Sequence, residues 1–475
     1  MSLAAFAARL ACENPIADLR AGLIGEGRMI PGLNGDVPLV YADYIASGRA
    51  LAQVEDFVRD AVLPFYANTH TEASFTGART TALREEARRT IARLTGAGDE
   101  HAVVFTGSGA TAGLNKLVSL LAVNDAKRPV VFVGPYEHHS NLLPWRESRA
   151  EVVEIPEAPQ GGPDLDALAA ALVAHADADL KIGAFSVASN VTGILTEADP
   201  VTRLLHAHDA LSVWDYAGGG PYVPISMGRG ATSKDAIVVS PHKFAGGPGA
   251  SGVLVVRKGA VRLNRPSQPG GGTVAFVSPW RHDYLDDLVA REEAGTPNII
   301  GDIRAGLAFL VKDAVGSDLI HTREETYRTM AEAAWKEHAN LTILGQGMSL
   351  RLPFFSLLIT DKTGAPVPPA LFTTMLSDLY GIQSRGGCAC AGPYGHRLLG
   401  IDRARSEAIH GEILRGEMIH KPGWVRLNFS YLMDGATVRY IIESVATLAT
   451  KVEEFADVYR WDSARQVFLP KPRAA

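Results

Sequence analysis

At 475 residues the chain is long enough for two or three domains, or for one large domain with a smaller partner. Its 47% hydrophobic and 21% charged content excludes general disorder and predicts a sizeable core. A formal charge of -6 leaves no basic footprint for nucleic acid or anionic lipid, and three cysteines make no disulfide framework, so a reducing, cytoplasmic setting is expected.

The chain opens with MSLAAFAARLACENP, where no Lys or Arg precedes the apolar stretch and Arg9 falls inside it. This predicts a short amphipathic helix rather than a signal peptide. No apolar run is long enough to span a bilayer, and no internal repeat stands out. Residues 83–94 (LREEARRTIARL) have helical spacing that stops at Gly96. Seven short β-branched or apolar runs follow, at 102–105, 129–133, 152–155, 182–187, 211–214, 236–240 and 252–256. Helical stretches at 164–176 and 200–208 separate some of them. This alternation predicts an α/β fold, with a mainly parallel seven-stranded sheet covered by helices on both faces.

After residue 300 the pattern changes to helical 318–340, strand-like 351–359, helical 369–380, strand-like 424–432 and helical 437–459. That succession predicts a smaller α+β domain. The expected division is an N-terminal segment at 1–40 packing on the small domain, a large domain at 41–315 and the small domain at 316–475. Ligands of such sheets bind beyond the C-terminal ends of parallel strands, so the chemistry is sought just after each run.

The strongest local signal is Ser240-Pro241-His242-Lys243 running into a glycine-rich turn. Lysine forms Schiff bases with carbonyls, and one that closes a strand before such a turn is poorly placed for mere solvation. Asp215 ends the apolar run LSVW, where a buried carboxylate needs a cation or hydrogen bonds. A pyridoxal-phosphate enzyme needs such a group to keep the pyridine nitrogen protonated. A surface lysine and a helix-capping Asp are the plainer readings, but the two together, each after a strand, favour the cofactor.

Gly107-Ser108-Gly109-Ala110-Thr111-Ala112 lies between a strand and a helical stretch, a junction whose free backbone N–H groups and helix dipole suit a phosphate. The string also fits a dinucleotide fingerprint. The next strand, however, runs into Gly134 and Pro135 instead of the Asp or Glu that would hold a ribose. Glu137-His138-His139-Ser140-Asn141 offers either a histidine to stack on a flat cofactor and shuttle protons, or simply a paired loop histidine. Asn190, in Ser-Asn-Val-Thr-Gly, is either a contact for the cofactor's ring oxygen or a turn residue.

Several segments, taken in order, resemble the class V aminotransferase family of pyridoxal-phosphate enzymes (fold type I), and within it the group II cysteine desulfurases and selenocysteine lyases. They are YADYIASGRAL (41–51), NTHTEAS (68–74), FTGSGATAGLN (105–115), EHHSNLLPW (137–145), SNVTG (189–193), WDYAG (214–218), SPHK (240–243) and AGTPNI (294–299). The resemblance implies Lys243 as the Schiff-base lysine, Asp215 as the pyridinium partner and His138 as the stacking histidine. It implies phosphate contacts from Thr111, Ser240 and His242, a cofactor contact from Ala110, and a ring-oxygen contact from Asn190. Thr296 would reach the phosphate of a neighbouring subunit, which implies a homodimer. Substrate contacts fall to Ala46, Ser47, His70, Arg385 and Arg426, the last gripping the α-carboxylate, a task that suits a bidentate guanidinium.

The segment Arg385-Gly-Gly-Cys388-Ala389-Cys390-Ala-Gly-Pro393 resembles the group II desulfurase loop, with Cys390 at the persulfide-forming position. The implied reaction takes the Cα proton of L-cysteine to Lys243 and lets the Cys390 thiolate attack the substrate sulfur. Alanine and an enzyme persulfide remain, the latter available to a sulfur-acceptor protein. A Cys-x-Cys pair also suits a metal, but no second Cys/His cluster lies near it in the sequence, so no metal is expected. Two buried structural cysteines are the plain alternative.

The chain departs from the family at three places. Gly218 stands where Gln is usual, Cys388 and Ala389 replace a pair of histidines, and the stretch from Cys390 to Arg426 is longer than usual. These departures leave a second reading, another class V enzyme (an amino-acid lyase, epimerase or aminotransferase) in which Cys390 is not catalytic. A catalytically silent binding protein on the same fold is a third, disfavoured by the joint retention of Lys243, Asp215 and Arg426.

Overall fold

A computed structural model describes residues 1–471, apart from His70 and Ser349, with only the backbone of His420. Two compact units emerge. The first comprises Met1–Ile24, Ser47–Ser189 and Leu195–Leu319; the second comprises Gly25–Ala46, Asn190–Ile194 and the chain from Ile320 onward. The first 40 residues, expected as one segment on the small domain, are thus divided at Ile24/Gly25, and the later division falls after Leu319.

In the first unit, seven strands form one sheet. They are β1 (His101–Gly107), β2 (Pro129–Val133), β3 (Glu151–Glu154), β4 (Leu180–Ser186), β5 (Leu211–Asp215), β6 (Ala236–Val239) and β7 (Gly252–Arg257), ordered β1-β7-β6-β5-β4-β2-β3. β7 runs antiparallel to β1 and β6, and the other pairs are parallel. A strand covered on both faces needs a continuous apolar run rather than an alternating one. Val130, Val131, Phe132, Ile237, Val238 and Val239 are buried accordingly, each contributing roughly 1.5–3 kcal/mol.

The predicted N-terminal helix, α1 (Leu3–Leu10), buries the stripe Leu3, Phe6 and Leu10. Helix α2 (Phe75–Thr95) starts at Ser74, whose side chain accepts the Gly77 amide, and ends at Gly96, whose left-handed φ of 66° suits glycine. The periodic segment at 83–94 is its second half.

The second unit holds an antiparallel sheet of β8 (Leu341–Ile343), β9 (Phe354–Ile359), β10 (Arg385–Gly387) and β11 (Trp424–Asn428), ordered β8-β9-β11-β10. Trp335 and Phe355 meet edge to face at 5.1 Å within its core. The helix expected at 437–459 is instead Gly435–Thr450 followed by a short turn of helix at Val452–Ala456. Beyond it Tyr459–Asp462 pairs with Val467–Pro470 as a hairpin. Asp462 Oδ1 accepts the amides of Ala464 and Arg465, both at 3.1 Å, and this turn chemistry wins over the helical spacing that precedes it. Among the described residues no helix is long and apolar enough to cross a membrane.

Candidate active site

Two of the predicted residues stand where central strands of the first sheet end. Asp215 is the last residue of β5. It is buried and, among the described residues, accepts one hydrogen bond, from the Ala217 amide to Oδ1 (2.7 Å). Burial pushes its carboxyl above the ordinary carboxylate range, while the Ala217 amide and the Lys243 charge pull the other way. Lys243 closes the 3-10 turn Pro241–Lys243 that follows β6. The Gly48 amide donates to the His242 carbonyl (2.9 Å), which ties the loop carrying Ser47 to this turn. A Cβ on Gly48 would meet the Phe244 carbonyl oxygen at 1.9 Å, so only glycine fits there.

β1 runs through Gly107 (φ 74°) and Ser108 into Gly109 (φ 61°), the first residue of α3 (Gly109–Leu120). The Ala110 amide donates to Ser240 Oγ (2.9 Å). A Cβ on Gly109 would come within 2.9 Å of His242 Cε1 and 3.0 Å of Ser240 Oγ, so this corner is cut for a bare backbone. Burial first, and then the Lys243 charge, lowers His242 to about 4, so its imidazole is neutral at neutral pH. Thr111 is exposed, with Oγ1 2.7 Å from Ser140 Oγ, and the Ser140 amide donates to His138 Nδ1 (3.1 Å). A helix N-terminus beside a hydroxyl and a neutral imidazole is a cradle for a phosphate dianion. Thr296 stands apart from these contacts, exposed in the loop after Leu288–Glu292.

In the second unit Arg385 on β10 and Arg426 on β11 are register partners. One carboxylate joins them. Asp43 Oδ2 accepts from Arg385 Nε and Nη2, both at 2.9 Å, and Oδ1 accepts from Arg426 Nη2 (3.1 Å). Arg426 is 4% exposed, and its buried Nε has no hydrogen-bond partner among the described residues. Burial lowers its pKa, with Asp43 acting against the shift and the Cys390 thiolate adding to that opposition. Cys390 is exposed and Cys388 half-buried, both free thiols. Asn190 donates Nδ2 to the Ala389 carbonyl (2.7 Å), and its own carbonyl accepts from Arg426 Nη1 (3.2 Å). Its Oδ1 is buried without a partner among the described residues. Asn190 therefore braces the cysteine turn and the arginine at once. Ala46 lies in a turn closed by its amide on the Asp43 carbonyl (3.0 Å). His70 lies outside the described residues.

Two residues of these clusters escaped the sequence reading. Asp43 stands inside YADYIASG, where a carboxylate after a strand-like run was the available signal. Glu137 precedes His138 and is buried; its Oε1 accepts the Ser186 amide (2.9 Å), and its Oε2 accepts Ser186 Oγ (2.6 Å) and Asn141 Nδ2 (2.5 Å). Burial pushes it up to about 7, and the nearby charge of Asp215 adds to the rise. Among the described residues no group of three or more His, Cys, Asp or Glu is placed to hold a metal ion.

A buried carboxylate with one oxygen uncommitted, a lysine whose charge it feels and a phosphate cradle beside them make the first unit's cluster fit pyridoxal phosphate. The chain belongs to the class V aminotransferase family, which matches residues 40–407. It is thus a pyridoxal-phosphate-dependent enzyme of fold type I. It is 27% identical over 374 residues to a probable cysteine desulfurase of Halalkalibacterium halodurans, covering 77% of this chain and 88% of that one. With a cysteine desulfurase of Klebsiella pneumoniae the identity is 30% over 371 residues, 76% of this chain and 87% of the relative. The fold matches the apo structure of a cysteine desulfurase from Thermococcus onnurineus with a TM-score of 0.73 at 21% identity, over 91% of this chain and 98% of the other.

Proposed function

We propose that this enzyme is a cysteine desulfurase, converting L-cysteine to L-alanine and carrying the sulfur on Cys390 as a persulfide. The observation that carries the reading is Cys390 itself, an exposed thiol on the turn that Asn190 braces, lining a cavity with Arg385 and Lys421. An electropositive, accessible setting is what a nucleophilic thiolate needs. The activity of the relatives supports the same reading.

Bound pyridoxal phosphate supplies an electron sink for the bonds broken at the substrate's Cα. In this reading Asp215 keeps the pyridine nitrogen protonated, and His138 covers the ring face. Asn190 contacts the ring oxygen, while Ala110, Thr111, Ser240 and His242 hold the phosphate. Arg426, helped by Arg385, exchanges the Asp43 carboxylate for that of the substrate and so fixes the direction of the Cα–H bond. Ala46, Ser47 and His70 line the substrate's approach. Lys243 Nζ takes the Cα proton and returns a proton as alanine is completed. The Cys390 thiolate bonds to the substrate sulfur as the Cβ–S bond breaks, and the electron pair of that bond stays with the three-carbon fragment. Thr296, exposed in its loop, serves the phosphate site of a second copy in a homodimer. The three free thiols suit a cytoplasmic protein.

The test is release of alanine and sulfide from L-cysteine by the cofactor-loaded protein, run beside Cys390→Ala and Lys243→Ala. Both products from the parent and neither from the variants is the expected result. Intact cysteine in the presence of bound cofactor would send the reading to another amino-acid substrate.

A further inference from the structure

Resting on the desulfurase reading, we infer that Cys388 is a resolving cysteine: it attacks the persulfide on Cys390, expels the sulfur as hydrosulfide and leaves a Cys388–Cys390 disulfide. Three features of the second unit lead there. The Ala391 amide donates to the Cys388 carbonyl (3.2 Å), closing a four-residue turn over 388–391. Its two central residues, Ala389 (φ 51°) and Cys390 (φ 55°), are both left-handed, the mirror-image form of the common turn. Neither residue is a glycine or asparagine, so each costs on the order of 1–2 kcal/mol in that conformation. Asn190 Nδ2 holds the carbonyl between them at 2.7 Å, which offsets part of that cost.

Tightness is the consequence. Consecutive Cα atoms 3.8 Å apart, bent through such a turn, bring the first and third to roughly 5–6 Å. A disulfide asks for a Cα separation of about 4.4–6.8 Å. The two thiols also open on one cavity of about 330 Å³, whose lining includes Arg385, Lys421, Trp461 and Phe468. The opening admits a small reductant to both cysteines.

The step balances. The Cys388 thiolate forms a bond to the inner sulfur of Cys390–S–SH, the outer S–S bond breaks, and its electron pair leaves with the terminal sulfur as HS⁻. The substrate sulfur leaves at the oxidation level it had in cysteine, and the two electrons it regains come from the cysteine pair. A dithiol reductant must then return that pair to thiols before the next turnover, so continuous turnover depends on such a reductant and no persulfide-accepting protein is needed.

The experiment is a single turnover of the holoenzyme with one equivalent of L-cysteine and no added thiol. Acid quenching, thiol alkylation and intact-mass measurement follow, alongside assays of alanine and sulfide. The parent is expected to release alanine and sulfide in equal amounts. It should end two hydrogens lighter, with Cys388 and Cys390 both protected from alkylation, and turn over again once dithiothreitol is added. Cys388→Ser and Cys388→Ala are expected to end one sulfur heavier at Cys390, with sulfide falling about tenfold or more. A parent chain that keeps its sulfur on Cys390 to the same extent as both variants overturns this inference while the desulfurase reading stands. A parent that forms no alanine overturns both.

Discussion

Glu137→Gln offers a test that needs no catalytic assay. The buried carboxyl is raised from an ordinary 4.5 to about 7, chiefly by burial. At 1.36 kcal/mol per unit, that displacement corresponds to about 3 kcal/mol between its two protonation states. Because the folded-state value lies above the ordinary one, the folded chain holds the proton more tightly than the unfolded chain. This group's contribution to stability is full below about pH 4.5 and is lost as pH rises through 7. Glutamine cannot ionise, so the variant lacks that slope. It loses something else, because its amide N–H groups face the Asn141 Nδ2 donor that Oε2 now accepts, at a cost of about 1–3 kcal/mol. The expected result is a variant clearly less stable than the parent at pH 5, with the gap narrowing or reversing by pH 8.5. The assay is denaturant unfolding of both proteins across that range, on protein freed of cofactor so that the cofactor's charge does not enter. Parallel pH profiles would refute the argument, since they would mean that the Glu137 proton is bound equally in both states.

Other substitutions probe the remaining clusters. In the role proposed for Asp215, Asp215→Asn removes the charge that pairs with the cofactor's pyridinium, and the loss of one partner of a buried pair costs about 3–5 kcal/mol. A fall in kcat/KM of two orders of magnitude or more is expected, with cofactor still bound by absorbance. Arg426→Lys keeps the charge but loses the fork, so KM for the amino acid should rise about tenfold, a charged hydrogen bond being worth roughly 1.5–3 kcal/mol. Steady-state kinetics would show it, and a change confined to kcat would refute the carboxylate role. Gly109→Ala places a methyl against His242 and Ser240 at a left-handed φ of 61°. Pyridoxal phosphate affinity, measured by titration of the apo protein, should weaken by about tenfold or more, since the strain alone is roughly 1–2 kcal/mol.

Most of the first sheet, and the strand-end positions of Asp215 and Lys243, were legible in the sequence. Seven apolar runs became the seven strands, because a doubly covered strand must be continuously apolar and that pattern is local. Asp215 and Lys243 could be read for the same reason. Asp215 ends its strand and Lys243 closes the turn just after the next one, so the local pattern places each at a strand end. The C-terminal hairpin was not legible, since its short strands follow a strongly periodic helix and only the Asp462 turn separates the two patterns. What the tertiary structure alone decided were the pairings between distant residues. Asp43 reaches Arg385 across 342 positions, Asn190 reaches Ala389 across 199, and Glu137 reaches Ser186 across 49. Such contacts depend on strand register and on which loops a sheet end gathers. Neither is encoded in the spacing of any one segment, so the carboxylate between the two arginines and the brace on the cysteine turn became visible only once the chain was folded.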